Sequence, residues 1–361
     1  MTPGILLDPL RIGREAAVLE GKLRERVIGQ DEAVREIVGV YQTFLAGLTA
    51  PGRPIGSFLF LGPTGSGKTR TVEAAAEALA GDSRAVIKLD CAEYQHGHEI
   101  AKLVGSPPGY LGHRETHPLL SQEALNQYQT ENVKLSFVLF DEIEKASDAL
   151  WNLLLGILDK ATLTLGDNRR VDFSRSLIFL TSNLGARQIE TLVRPKLGFS
   201  PVRAALDETG TEKISNAGVD AARRNFSPEF INRLDKIVVF QPLGQQELRS
   251  VLGLELQSVR ERIANAAGTR SINFDVSEDG QDFLLEEGTD ARYGARHLKR
   301  TVERLLVQPL ANLMATGQIQ AGDSVCVELD RDAPGDRLVF FKKLREPVGK
   351  FEIVAPKTAA A

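Results

Sequence analysis

Apolar residues return every three or four positions in REAAVLEGKLRERV (14–27) and DEAVREIVGVYQTFLAGL (31–48), the spacing of amphipathic helices. TAPGRPIG breaks that pattern, and SFLFLG follows as a short apolar run of the kind found in a buried strand. GKTRTVEAAAEALAG (67–81) reads as a helix closed by a glycine. AVIKLD, LSFVLFDE, RSLIFLTSN and DKIVVFQPL are further buried-strand runs, with helical or loop material between them. Short apolar strands alternating with helices predict a parallel sheet covered on both faces, ending near Leu243.

From Gly244 the pattern changes. QQELRSVLGLELQSVRERIANAA is strongly amphipathic, SINFD reads as a strand and SEDGQDFLLEEG as a short helix. ARHLKRTVERLLVQPLANLMATG predicts one or two helices divided near Pro309, and DSVCVELD with DRLVFFKKL a closing strand pair. This second part is a small α+β unit, with a loose tail after Lys350.

Composition adds limits. The 361 residues suffice for two or three structural units with ample core, and 25% charged with 42% hydrophobic residues is ordinary for a soluble globular protein. The formal net charge of -4 gives no general pull toward nucleic acid or anionic lipid, and no apolar run approaches a membrane span. The first residues do not read as a signal peptide, and Cys91 and Cys326 stand in no motif, so the expected compartment is the cytoplasm.

The chemistry concentrates at GPTGSGKT: Gly62, Pro63, Thr64, Gly65, Ser66, Gly67, Lys68 and Thr69. It follows a strand and opens a helix, where glycines let backbone N–H groups curl around phosphate oxygens and the helix N-terminus adds its positive end. Lys68 is placed to reach the β- and γ-phosphates, and the Thr69 hydroxyl to ligate Mg²⁺. FVLFDE puts Asp141 and Glu142 at the carboxyl end of a buried strand, Asp141 as a Mg²⁺ holder through water and Glu142 as the general base for an attacking water. LIFLTSN ends in Asn183, whose amide can orient that water or simply end the strand. Arg233, in NFSPEFINRLD, and Arg296, in DARYGARHLKR, have no obvious place in this site; each is either a solvated helix-start arginine or a contributor to phosphoryl transfer, which an arginine can also supply from another subunit.

Two loops raise questions of their own. GSPPGYLG holds Tyr110 between prolines and glycines, either folded back on the body or held out in water. TLVRPKLGFSPVRAALDETG is polar apart from Leu197, Gly198 and Phe199, a triplet that either pins the loop to its own subunit or docks on a partner. His96, His98, His113 and His117 flank the tyrosine loop without a common frame, so no metal site is expected there.

RVIGQDEAV, RPIGSFLFLGPTGSGKT, LVGSPPGYLG, VLFDEIEKA, VDFSRSLIFLTSNLG, FSPEFINRLD and YGARHLKR, in this order from about Arg26 to Asp330, resemble the AAA+ ATPases of the Clp family. The likeness is closest to the second ATPase module of ClpB, ClpC and ClpA. It implies a helical lead-in over 1–25, a P-loop AAA+ large subdomain over 26–243, a small α+β lid over 244–345 and a tail over 346–361. It further implies ATP and Mg²⁺ as cofactors, Val27 and Ile28 lining the adenine pocket, Asn183 as first sensor, and Arg296 as second sensor from the small unit. Arg233 would be the arginine finger of a homohexameric ring, and Tyr110 the pore residue gripping unfolded or tagged polypeptide. Leu197–Phe199 matches the docking triplet for a ClpP-like peptidase, which ClpB lacks.

The sequence also departs from that pattern. His113 stands where these relatives commonly have an aromatic, which bears on grip. One module is present where ClpB, ClpC and ClpA carry two, without the middle domain of ClpB, so disaggregation is not carried over. The leading expectation is an ATP-driven protein unfoldase. Its rivals are a DNA-directed AAA+ machine such as a clamp loader or helicase, which the charge balance does not favour, and a low-turnover interaction module, against which Glu142, Asn183, Arg233 and Arg296 together argue.

Overall fold

The computed structural model describes residues 7–106, 117–130, 133–193, 208–267, 272–290, 294–331 and 336–343. In chain order the strands are β1 (Gly56–Leu61), β2 (Val86–Asp90), β3 (Ser136–Asp141), β4 (Thr162–Thr164), β5 (Arg170–Asp172), β6 (Ser176–Ser182), β7 (Lys236–Val239), β8 (Asn273–Val276), β9 (Ser324–Asp330) and β10 (Arg337–Lys342). Two compact units form. One reaches to Leu254 and includes Gly288–Lys299; the other takes Glu255–Glu287 and the chain from Arg300. The helix Gln245–Ala267 contributes to both units, and the segment Gly288–Lys299, which carries Arg296, packs with the first.

The first unit is built on a five-stranded parallel sheet in the order β2-β3-β6-β1-β7. Its central strands β1, β3 and β6 are nearly continuous apolar runs because both their faces are covered. Leu59, Leu61, Val138, Phe140, Ile178 and Leu180 point to one face, against Leu150, Leu154 and Ile157 of the helix Asp148–Lys160 and Ile214 and Ala222 of the helix Glu208–Asn225. The alternate residues Phe58, Phe60, Phe137, Leu139 and Phe179 point to the other, against the helices Arg14–Arg26, Asp31–Leu45 and Lys68–Ala80. The period of two along each strand thus feeds two cores at once.

Register then does the positioning. Phe140 lies beside Leu180, and Leu61 beside Ser182, so the ends of β3, β6 and β1 share one edge of the sheet. Gly62, Asp141 and Asn183 emerge together there. β4 and β5 form a small antiparallel hairpin that the sequence reading did not single out.

In the second unit, β8 pairs parallel to β9 and β9 antiparallel to β10, making a three-stranded sheet from the expected strand and strand pair. Near Pro309 the helix is not cut. The stretch Glu303–Val307 widens into a π turn that leads into Gln308–Ala315, which accommodates a ring that has no N–H to give and crowds the carbonyl four residues back.

Candidate nucleotide site

The loop after β1 folds as its glycines allow. Gly62 has φ 142 and its Cα faces the Phe240 carbonyl so closely that an added Cβ would lie 2.8 Å from that oxygen. Gly65 and Gly67 also take positive φ, 78 and 100, values that side-chain-bearing residues rarely adopt. The helix Lys68–Ala80 starts directly from Gly67.

Lys68 is the hub. Its side chain is buried, 8% exposed, and Nζ donates to the Gly62 carbonyl at 2.7 Å, the Pro63 carbonyl at 3.0 Å and Asn183 Oδ1 at 3.0 Å. Burial pushes its pKa down to about 8; Asp141 and Glu144 oppose that fall, Arg296 adds to it, and Glu142 opposes it more weakly. A lysine in this state has its charge in contact with neutral carbonyls only, and a phosphate is a better partner.

The carboxylates converge on the same edge. Thr69 Oγ1 lies 3.5 Å from Asp141 Oδ2. The Thr181 hydroxyl donates to Asp141 Oδ1 and accepts the Glu142 N–H at 3.1 Å. Glu142 itself is held in the left-handed region, φ 57 and ψ 48, where a non-glycine residue is strained by about 1–3 kcal/mol. Its carboxylate pairs with Lys145 through one oxygen and faces Asn183 Nδ2 at 3.5 Å through the other. Asn183 therefore bridges Lys68 and Glu142, with Thr64 Oγ1 also 3.5 Å from its Oδ1.

Three residues escaped the sequence reading. Gln30 is buried, and its amide donates to the Ser66 and Gln241 carbonyls at 3.0 and 2.9 Å while its Oε1 accepts the Gln241 N–H at 3.0 Å. It clamps the phosphate loop to the segment after β7. A signal was present: Gln is an unfavoured N-cap for the helix Asp31–Leu45, and it makes no cap hydrogen bond there. Thr181 carries no motif, and only the β3–β6 register reveals it. Glu144 accepts the Asn183 N–H at 3.2 Å.

The other expected residues divide. Val27 is buried and Ile28 half-buried in the turn that leads to Gln30. The Arg296 segment sits on the phosphate loop, Ala295 N–H donating to the Gly65 carbonyl at 3.2 Å, with the Arg296 side chain exposed. Arg233 is elsewhere. It precedes β7 near the start of β1, about 20 Å of strand away from the phosphate loop, with its guanidinium 3.0 Å from Glu229 and 3.7 Å from Asp159. Tyr110, His113 and Leu197–Phe199 lie outside the described residues, as do no other expected site residues. Among the described residues no cluster of His, Cys, Asp or Glu suits a protein-held metal, and no helix is long and apolar enough to cross a membrane.

A glycine loop opening a helix after β1, a buried lysine at its mouth and two acidic residues at the end of β3, one strand removed across β6, define a P-loop nucleoside-triphosphate site. The chain belongs to the AAA+ ATPase family: residues 53–237 match the family described as AAA domain (Cdc48 subfamily), and residues 243–327 match the C-terminal, D2-small domain of ClpB protein. Similar proteins include chaperone protein ClpB of Bdellovibrio bacteriovorus, 37% identical over 89% of this chain and 34% of that protein. Chaperone protein ClpC3, chloroplastic, of Oryza sativa subsp. japonica is 39% identical over 91% of this chain and 34% of the relative. The chain thus spans about a third of the length of these curated relatives. Among solved structures, a closed-state reconstruction of Hsp104 with ATPγS and FITC casein matches with TM-score 0.74 and 29% identity, over 90% of this chain and 52% of that one.

Proposed function

We propose that this chain is an ATP-driven protein remodeller that assembles as a homohexamer and threads unfolded or tagged polypeptide through a central pore. The observation that carries its ATP-driven part is the Lys68–Asn183–Glu142 bridge, which places a phosphate-seeking cation and a carboxylate on either side of one amide. The names of the relatives, chaperones all, support the protein-directed reading.

The donor set fits ATP with Mg²⁺: the glycine-rich loop opening a helix, Lys68, and the Thr69 hydroxyl beside the Asp141 carboxylate. Bound Mg²⁺ would neutralise charge on the terminal phosphates. Lys68 holds the β- and γ-phosphates, exchanging carbonyl partners for anionic ones. Glu142 accepts a proton from the attacking water, and the Asn183 amide orients that water. Val27 and Ile28 line the adenine pocket, and Arg296 touches the γ-phosphate from the segment seated on Gly65.

Arg233 serves a neighbouring subunit. Its distance from its own phosphate loop and its loose pairing with Glu229 and Asp159 support action across a ring contact, which a head-to-tail assembly supplies. Tyr110 grips the threaded chain, with His113 tuning that grip, and Leu197–Gly198–Phe199 docks a ClpP-like peptidase through six weak contacts that add by avidity. The work is done in the cytoplasm. The net charge of -4 does not favour a DNA-directed reading over a protein-directed one.

The test is unfolding of a tagged fluorescent protein with ATP, by the wild type and by Tyr110→Ala. The expected result is unfolding by the wild type alone, with ATP turnover kept by the variant. Unfolding by both would remove the pore role of Tyr110. Leu197→Ser with Phe199→Ser should abolish co-sedimentation with the host's ClpP-like peptidase; no binding by the wild type would leave a free-standing remodeller.

A further inference from the structure

Glu144 has no part in the phosphate loop, the Mg²⁺ ligands or the general base, yet its carboxylate lies inside the site. Oε1 accepts the main-chain N–H of Asn183 at 3.2 Å. Oε2 is buried and has no hydrogen-bond partner. A buried carboxylate oxygen without a partner is costly, and one kept at such cost calls for a reason beyond its own stability. The Asn183 side chain that this contact anchors spans Lys68 at 3.0 Å and Glu142 at 3.5 Å. Asn183 also stands one residue beyond β6, half-buried, where no ladder partner holds its N–H.

We propose that Glu144 is a positioning residue for hydrolysis, which fixes the Asn183 amide between Lys68 and Glu142 by accepting its main-chain N–H. The contact with Asn183 needs reach and an acceptor oxygen, which a neutral amide supplies as well as a carboxylate, whereas the negative charge acts on Lys68. The two properties separate by substitution. Glu144→Gln keeps the length and an acceptor oxygen and removes the charge. Glu144→Asp keeps the charge and shortens the side chain by one methylene, which withdraws the acceptor from Asn183.

The proposal rests on the site being one that hydrolyses ATP, so two readouts are taken on the full chain: steady-state turnover with ATP and Mg²⁺, and hydrogen-exchange protection of the Asn183 amide. Glu144→Gln is expected to lose no more than about threefold in kcat and to keep the protection, with a melting temperature equal to or above the wild type. Glu144→Asp is expected to lose about tenfold or more in kcat, with nucleotide affinity within about threefold of wild type, and to lose the protection. A Gln variant impaired as much as or more than the Asp variant would overturn the proposal in favour of the charge. Lost protection with full turnover would overturn it and leave the ATPase reading intact. Absence of wild-type turnover, with protection unchanged, would sink the ATPase reading and the catalytic role of Glu144 together.

Discussion

Lys68 Nζ and Asn183 Oδ1 are 3.0 Å apart, joining the first residue of the helix after β1 to the residue that follows β6. The contact ties the lysine at the mouth of the glycine loop to the amide that faces Glu142. Its consequences can be measured one at a time.

Lys68 sets a pH dependence. Burial holds its pKa down at about 8, against 10.5 for an unperturbed lysine. A phosphate beside it favours the charged form, so binding raises that pKa. Affinity for a non-hydrolysable ATP analogue should be level below about pH 8 and weaken as pH rises through it, by up to about tenfold per unit. For folding the sign is opposite: the depressed pKa disfavours the native state below 8, and that penalty is relieved as pH rises toward 10.5. Equilibrium titrations across this range check the first statement, and an affinity that does not fall would contradict it.

Glu142→Gln should bind ATP as the wild type does and lose nearly all turnover, about a hundredfold or more, because Lys68, Thr69 and Asp141 stay in place while the base is lost. Removing the charge also frees Lys145 from its partner, a half-exposed pair whose loss costs little stability. Single-turnover hydrolysis beside nucleotide binding checks it. Turnover within a few-fold of wild type would take the base role from Glu142.

Arg233→Ala should leave nucleotide affinity unchanged and cut turnover by about 10³-fold, since the side chain lies far from its own phosphate loop. Mixing it with Glu142→Gln chains tests the geometry. If Arg233 acts across a subunit contact, as proposed, an intact Arg233 on one subunit serves the intact Glu142 of its neighbour, and activity should partly return on mixing. No recovery at any ratio, with subunits shown to exchange, would count against action across the ring.

Gln30→Leu should lower stability by about 2–4 kcal/mol, read from denaturant unfolding, since it strands the Ser66 and Gln241 carbonyls and the Gln241 N–H. Nucleotide affinity should fall with it, because Ser66 belongs to the phosphate loop. An unfolding midpoint equal to that of the wild type would remove the clamp role.

The sequence was most legible where chemistry and local geometry coincide. The loop Gly62–Thr69 needs glycines at positive φ and a lysine at a helix start, and those residue types announce themselves. The apolar runs of β1, β3 and β6 were equally plain, because burial on both faces removes polar alternation. What remained hidden depends on partners far along the chain. Thr181 matters only because β6 lies beside β3 in one register, and Gln30 only because Ser66 and Gln241 meet it in space. The π turn before Pro309 was also out of reach: proline signals a disturbance in a helix but not how the helix absorbs it.

The measurement that bears most directly on the central claim is steady-state ATP hydrolysis by the purified chain, alone, with an unfolded protein, and with single- and double-stranded DNA. The account predicts turnover that depends on Lys68 and Glu142 and rises when unfolded protein is added, with no response to DNA. Stimulation by DNA and not by protein, or nucleotide binding with no turnover under any of these conditions, would contradict it.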